Sequence, residues 1–272
     1  MQPAISQVCT LGSTFEADID AYADAAGSAI EFWITKLEDY VATHSVAEVK
    51  SRTADRGLKL AAAAFQGGIL LSQGEARREA WQQFERRLNL CAEVGVPTLV
   101  ITADFLGPFS ETDIERAQVS LKQAGELAKT RGVRLALEFQ ARATFLNNLE
   151  TAAWFVGSIN EPAVGLCLDL FHFSVGPSKL EDLRYLTAEN LVHVQVSDVS
   201  DRPRELATDA DRILPGDGDF HLLPVFDHLR KINYASFVSL ELLNPLFWQI
   251  DATQVAEIGL TSLRKALGLA RM

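Results

Sequence analysis

Eight short runs of branched and apolar residues punctuate the chain, separated by stretches with helical spacing. They fall at 4–11 (AISQVCTL), 29–34 (AIEFWI), 58–65 (LKLAAAAF), 97–103 (PTLVITA), 133–139 (VRLALEF), 164–170 (VGLCLDL), 191–198 (LVHVQVSD) and 237–243 (FVSLELL). Most are apolar almost throughout rather than alternating, as strands of a parallel sheet covered on both faces are. Between them, Trp81, Phe84, Leu88 and Cys91 recur at helical intervals within 75–95, and Gly95 is a stop signal. The segment 110–132 opens with Ser110 and Asp113 at capping-box spacing and closes at Gly132. Further helices are expected to start near Thr14 and Asn148, and one over 251–270 is capped by Asp251.

Strand–helix alternation repeated eight times predicts an α/β fold, a (β/α)8 TIM barrel, as one domain over residues 1–272. The rival is an open doubly wound sheet. Against it, no G-x-G-x-x-G follows an early strand, and a long helix follows the last strand. Residues 199–219 form the one long irregular loop, placed after the seventh strand on the face where such barrels carry their sites.

Composition narrows the function. The chain is 48% apolar and 22% charged, a well-packed globular balance, with a formal net charge of -11. That excess of acid argues against nucleic-acid and anionic-membrane partners. Cys9, Cys91 and Cys167 show no CxxC spacing, so neither a disulfide scaffold nor a thiolate metal site is expected. With no leader-like start and no membrane-length apolar run, the expected location is the cytoplasm.

Polar residues placed late in the last four strands carry the candidate chemistry. They are Glu138, Asp169, Gln195 and Glu241. In a barrel these positions converge on one mouth. Three carboxylates crowded there repel one another unless a cation intervenes. A divalent metal is one solution. The other is that each acid pairs with an arginine or caps the following helix. His172 lies just beyond Asp169, within reach of a ligand oxygen, and His193 shares the barrel-facing side with Gln195. Arg202 and Arg212 are loop cations that could fold over a substrate, and Trp33, Phe65 and Trp248 are aromatic faces suited to a sugar ring. Each also has a plainer reading as a solvated or packed side chain. No phosphate-cradling Gly-rich turn is present, so a substrate without phosphate is expected.

The segments ALEF, GLCLDLFHF, VHVQVSD, DADRILPGDGDF and VSLELLNP resemble the xylose isomerase-like TIM-barrel superfamily of sugar isomerases and epimerases. The match is strong over the second half of the chain, and the stretch from Asp209 to Pro245 is most similar to the inosose (2-keto-myo-inositol) isomerases. The resemblance implies one divalent metal bound by Glu138, Asp169, Gln195 and Glu241. It also implies Glu138 and Glu241 as acid and base, and His172 on substrate oxygens. Gln195 departs from the inosose isomerases, which place a histidine there; hydroxypyruvate isomerase-like members have glutamine. An all-oxygen shell favours Mn2+ or Mg2+ over Zn2+ or Co2+.

The implied reaction removes a proton beside a carbonyl of a keto-sugar or keto-inositol, through an enediolate, and returns it elsewhere. Expulsion of a β-hydroxyl instead would make the protein a lyase, as in inosose or 3-dehydroshikimate dehydratases or the barrel subunit of a C-glycoside-cleaving complex. A three-zinc endonuclease of the superfamily needs more than the five histidines here, and a basic groove. A metal-bearing binding module without turnover is a further alternative. Barrels of this kind are commonly homo-oligomers, but no interface signature stands out.

Overall fold

The structure is a computed structural model and describes residues 1–269. Eight parallel strands close a barrel in chain order: β1 (Gln2–Ser6), β2 (Ala29–Trp33), β3 (Lys59–Gln66), β4 (Thr98–Thr102), β5 (Arg134–Glu138), β6 (Val164–Asp169), β7 (Leu191–Val196) and β8 (Phe237–Leu240). The outer layer is α1 (Phe15–Asp24), α2 (Ile34–Val41), α3 (Val46–Asp55), α4 (Gly74–Val94), α5 (Glu111–Thr130), α6 (Leu149–Ile159), α7 (Leu170–Val175), α8 (Leu222–Lys231) and α9 (Ala252–Ala266). The barrel closes where Gln2–Ile5 pair with Phe237–Leu240. The (β/α)8 expectation holds, because continuous apolar runs such as β6, buried at every position, need a covered face on each side.

Local signals placed the helix starts. Thr14 caps α1, Asn148 caps α6, Asp251 caps α9, and Ser110 with Asp113 forms the full capping box of α5. Gly95 ends α4 in the left-handed conformation at φ 92°, which costs a glycine no Cβ clash. α9 stops at Ala266, short of the expected end, and residue 270 lies outside the described residues.

The first strand is shorter than 4–11. After Ser6 the chain turns into a 3-10 helix over Gln7–Thr10, and the Ser6 hydroxyl accepts from Val8 N. Gln7 and Thr10 are buried and polar, and Asp18 of α1 accepts from both, at 3.0 and 2.7 Å. A continued strand would have pulled them from that partner.

The long loop is folded. Asp198 and Ile213 form an antiparallel bridge, and the Asp198 carboxylate accepts from the backbones of Gly216 and Phe220 at 2.9 and 3.0 Å. That scaffold turns Arg212 inward. Among the described residues, no helix is long and apolar enough to cross a membrane.

Candidate active site

Glu138 ends β5, Asp169 ends β6, Gln195 lies one residue from the end of β7, and Glu241 directly follows β8. All four are buried. Glu138, His172 and Glu241 face a cavity of about 370 Å³ at the barrel mouth, along with Trp33, Phe65 and Arg212.

Asp169 answers its burial in two ways. One oxygen accepts from Phe171 N at 2.8 Å, capping α7. Both oxygens also meet Arg212, with Nη2 at 2.7 Å and Nη1 at 3.2 Å. Arg212 is 1% exposed. Its Nη1 also donates to Glu241 at 3.0 Å, while Nε and Nη2 donate to Asp209 at 2.9 and 2.8 Å. All five N–H groups of the guanidinium are thereby used. Its carbon sits 4.3 Å from the Phe171 ring centroid, and Asn244 donates to its backbone oxygen at 2.9 Å. Arg212 thus compensates Asp169 and Glu241 directly, beside whatever ion Asp169 could also meet.

One arginine does not balance the mouth. Burial pushes the Glu241 carboxyl well above the usual carboxylate range, against the pull of Arg212 and helped by repulsion from Asp169 and Glu138. Burial likewise raises Glu138, although His172 opposes it. Burial disfavours charge on His172, but the hydrogen bond to Glu138 and the nearby carboxylates outweigh it and lift its pKa. His172 Nε2 stands 3.3 Å from Glu138 and 3.7 Å from Asp169. Glu138, Asp169 and His172 each offer a ligand atom, all within 4.8 Å of one another. Surplus negative charge beside such a cluster fits a divalent cation, and a mixed carboxylate–imidazole set suits Zn2+ as well as Mn2+.

Gln195 does not present its oxygen to this cluster. Its Nε2 donates to Glu241 at 2.9 Å and to Glu31 at 3.0 Å, and its Oε1 accepts from the Cys167 thiol at 3.1 Å. In this arrangement two carboxylates take the amide nitrogen and a thiol meets the amide oxygen. His193 faces the bore as expected, but below the cavity, where its Nε2 meets Glu31 at 2.5 Å.

Trp33 and Phe65 form one wall, their rings 5.3 Å apart. Trp248 lies elsewhere: its indole donates to Val8 O at 2.7 Å and ties the loop after β8 to the turn after β1. Arg202 also misses the cavity. It is half exposed, 3.6 Å from Asp211, and lines a separate outer hollow.

Sequence reasoning missed Glu31, Asp104, Gln140 and Asp209. Glu31 was the most legible, being a lone carboxylate in the apolar run AIEFW, as Asp169 is in its own run. Asp209 stands three residues before Arg212, a spacing that brings side chains together on one helical turn. Asp104 and Gln140 sit on loops, where no periodicity marks them.

A family model described as Xylose isomerase-like TIM barrel matches residues 19–266. The chain is 27% identical over 186 residues to the inosose isomerase of Bacillus subtilis, covering 67% of each chain. It is 25% identical over 277 residues to a 3-dehydroshikimate dehydratase of Pseudomonas putida, covering 97% of this chain and 41% of that one. A crystal structure of the IolI protein with a binding zinc atom superposes with a TM-score of 0.93 at 24% identity, covering 100% of both chains.

Proposed function

The chain belongs to the xylose isomerase-like TIM barrel family, and from that premise we propose that it moves a proton beside the carbonyl of an uncharged keto-polyol, as an isomerase or epimerase. The observation that carries this is the convergence of two carboxyls, Glu138 and Glu241, on one cavity beside the Glu138–Asp169–His172 cluster. Burial raises both carboxyls above the ordinary carboxylate range, the direction that favours proton transfer by a carboxyl group.

Glu138, Asp169 and His172 would hold a divalent metal. When bound, it would supply Lewis-acid stabilisation of charge developing on the substrate's oxygens. Glu241 removes the proton adjacent to the carbonyl, and Glu138 returns it to that carbon or its neighbour. Arg212 keeps Glu241 aimed, and its committed donors leave no free guanidinium for substrate. Trp33 and Phe65 supply an apolar wall for the ring's C–H face.

An uncharged substrate is supported by the lining itself. Asp104, Glu138, Asp209 and Glu241 all face the cavity, and Arg212 is the one lysine or arginine among its described lining residues. A second reading, a dehydratase on the same first step, is supported by the Pseudomonas putida relative, whose match spans 97% of this chain.

The test is solvent-deuterium exchange into an inosose, with 3-dehydroshikimate run alongside and Mn2+ added. Wild type should exchange the inosose, and EDTA should remove the activity. Glu241→Gln should slow exchange by about 10²–10⁴-fold while the thermal midpoint stays near wild type. Undiminished exchange in that variant would remove Glu241 as the base. Aromatised product from dehydroshikimate, without inosose exchange, would favour the dehydratase.

A further inference from the structure

A second concavity, of about 410 Å³, opens on the outer side of α7 and shares none of its described lining residues with the active-site cavity. α7 divides the two: His172 lines the cavity, whereas Phe173 and Val175 line the hollow. The opposite wall is the loop after β7 and its exit, through Val199, Ala207 and Phe220. Phe173, Val199 and Ala207 are at most 4% exposed, so the floor is apolar. The rim is cationic: Lys179, Arg202 and Arg204 stand against one carboxylate, Asp219, among the described lining residues. That balance reverses the active-site cavity, where four described carboxylates meet one arginine, and it occurs on a chain of formal net charge -11. The rim charges are largely unspent. Lys179 bonds Asp182 through its backbone N–H at 2.8 Å, and its ammonium pairs with none of the described acids. Arg202 meets Asp211 at 3.6 Å in solvent, a contact worth little. Arg204 Nη2 donates to Gly176 O, and the rest of its fork has no described partner. Asp219 already accepts from Asp201 N at 3.2 Å. Ser178 also lines the hollow and is buried; its Oγ accepts from Leu149 N at 3.0 Å, and its hydrogen has no described acceptor.

We propose that this hollow binds a small organic anion, a carboxylate carried on an apolar ring or short chain, and that the bound anion holds the loop over 199–219 closed. The apolar floor rewards a hydrophobic body, and guanidinium forks match a carboxylate head. A neutral polyol would leave the cations unused, and an inorganic anion would leave the floor wet. Val199, Arg202, Arg204 and Ala207 all belong to the loop, so a ligand that needs them in place disfavours its opening by mass action. The same loop carries Asp209 and Arg212, and Arg212 donates to Asp169 and Glu241. The anion therefore acts on the arginine of the active site without entering its cavity. The proposal stands whether or not the protein is an isomerase.

The probe is 3-phenylpropionate, titrated into the 272-residue protein and followed by 1H–15N NMR, with 3-phenylpropanol and inorganic phosphate run alongside. The carboxylate should shift the amides of Lys179, Val199 and Ala207 saturably, with a Kd of about 1 mM or tighter, ordinary for a ligand of that size. The alcohol and the phosphate should each bind at least about tenfold more weakly, since each lacks one half of the recognition. Lys179→Met combined with Arg202→Met should weaken the carboxylate by about tenfold or more, while Tm stays near wild type. At ten times Kd, hydrogen exchange of Ile213 N, which donates to Asp198 O at 2.8 Å, should slow by about tenfold. Absence of saturable shifts, shifts confined to the active-site cavity, phosphate binding as tight as the carboxylate, or undiminished binding by the double variant would overturn the site. Unchanged exchange of Ile213 at saturation would overturn the loop clause.

Discussion

Replacing Arg212 with methionine removes the guanidinium that, alone among the described residues, pairs with Asp169, Glu241 and Asp209, and keeps an apolar stem over Phe171. Asp209 is half exposed, so solvent screens its share. The cost comes from Asp169 and Glu241, whose side chains are at most 7% exposed. Leaving a buried charge without its partner costs about 3–5 kcal/mol. Unfolding entropy of about 2.1 cal/mol/K per residue gives about 0.6 kcal/mol/K for 272 residues. Arg212→Met should therefore lower Tm by about 5–9 °C in metal-free protein at pH 7.5. Differential scanning calorimetry with EDTA reads this directly. Because the variant's mouth is more negative, added Mn2+ should raise its Tm by more than it raises that of wild type. A metal-free Tm within about 1 °C of wild type would refute the reasoning, since the carboxylates would then be compensated without the arginine.

Two further outcomes are expected. Burial disfavours ionisation of Asp209, but Arg212 outweighs it and holds the carboxyl below its ordinary value. A depressed acid stabilises above its unfolded pKa and loses that contribution as pH falls through the folded value. The stability gap between wild type and Asp209→Asn should therefore be flat from pH 8 to 5 and close below about pH 4, as read by thermal melts across that range. The second outcome concerns the thiols. Cys9, Cys91 and Cys167 are all buried, and burial pushes Cys91 up to about 12 and raises the other two. A disulfide thiol reagent at pH 8 should label none of the three before unfolding and all three afterwards. Fast labelling of any one in native protein would contradict its burial.

The amino-acid sequence by itself determined the barrel and the addresses of its acids. Apolar runs without alternation demand a sheet covered on both faces, and caps such as Ser110 and Asp251 mark where helices begin. In a closed parallel barrel, strand ends must meet, so Glu138, Asp169, Gln195 and Glu241 were bound to converge. What each would touch there was not written locally. That Asp169 would also meet an arginine depended on a loop that places Arg212, 43 residues away along the chain, against it. Gln195 found a partner in Glu31, 164 residues distant and three strands around the barrel. Trp248 and Arg202 look like site residues in sequence but were turned elsewhere by Val8 and Asp211. Periodicity encodes which face of an element is buried, because that depends on neighbours a few residues apart. Pairing of buried polar atoms is settled only when distant segments close around one another, since each donor is satisfied by whichever acceptor the closed fold sets within reach.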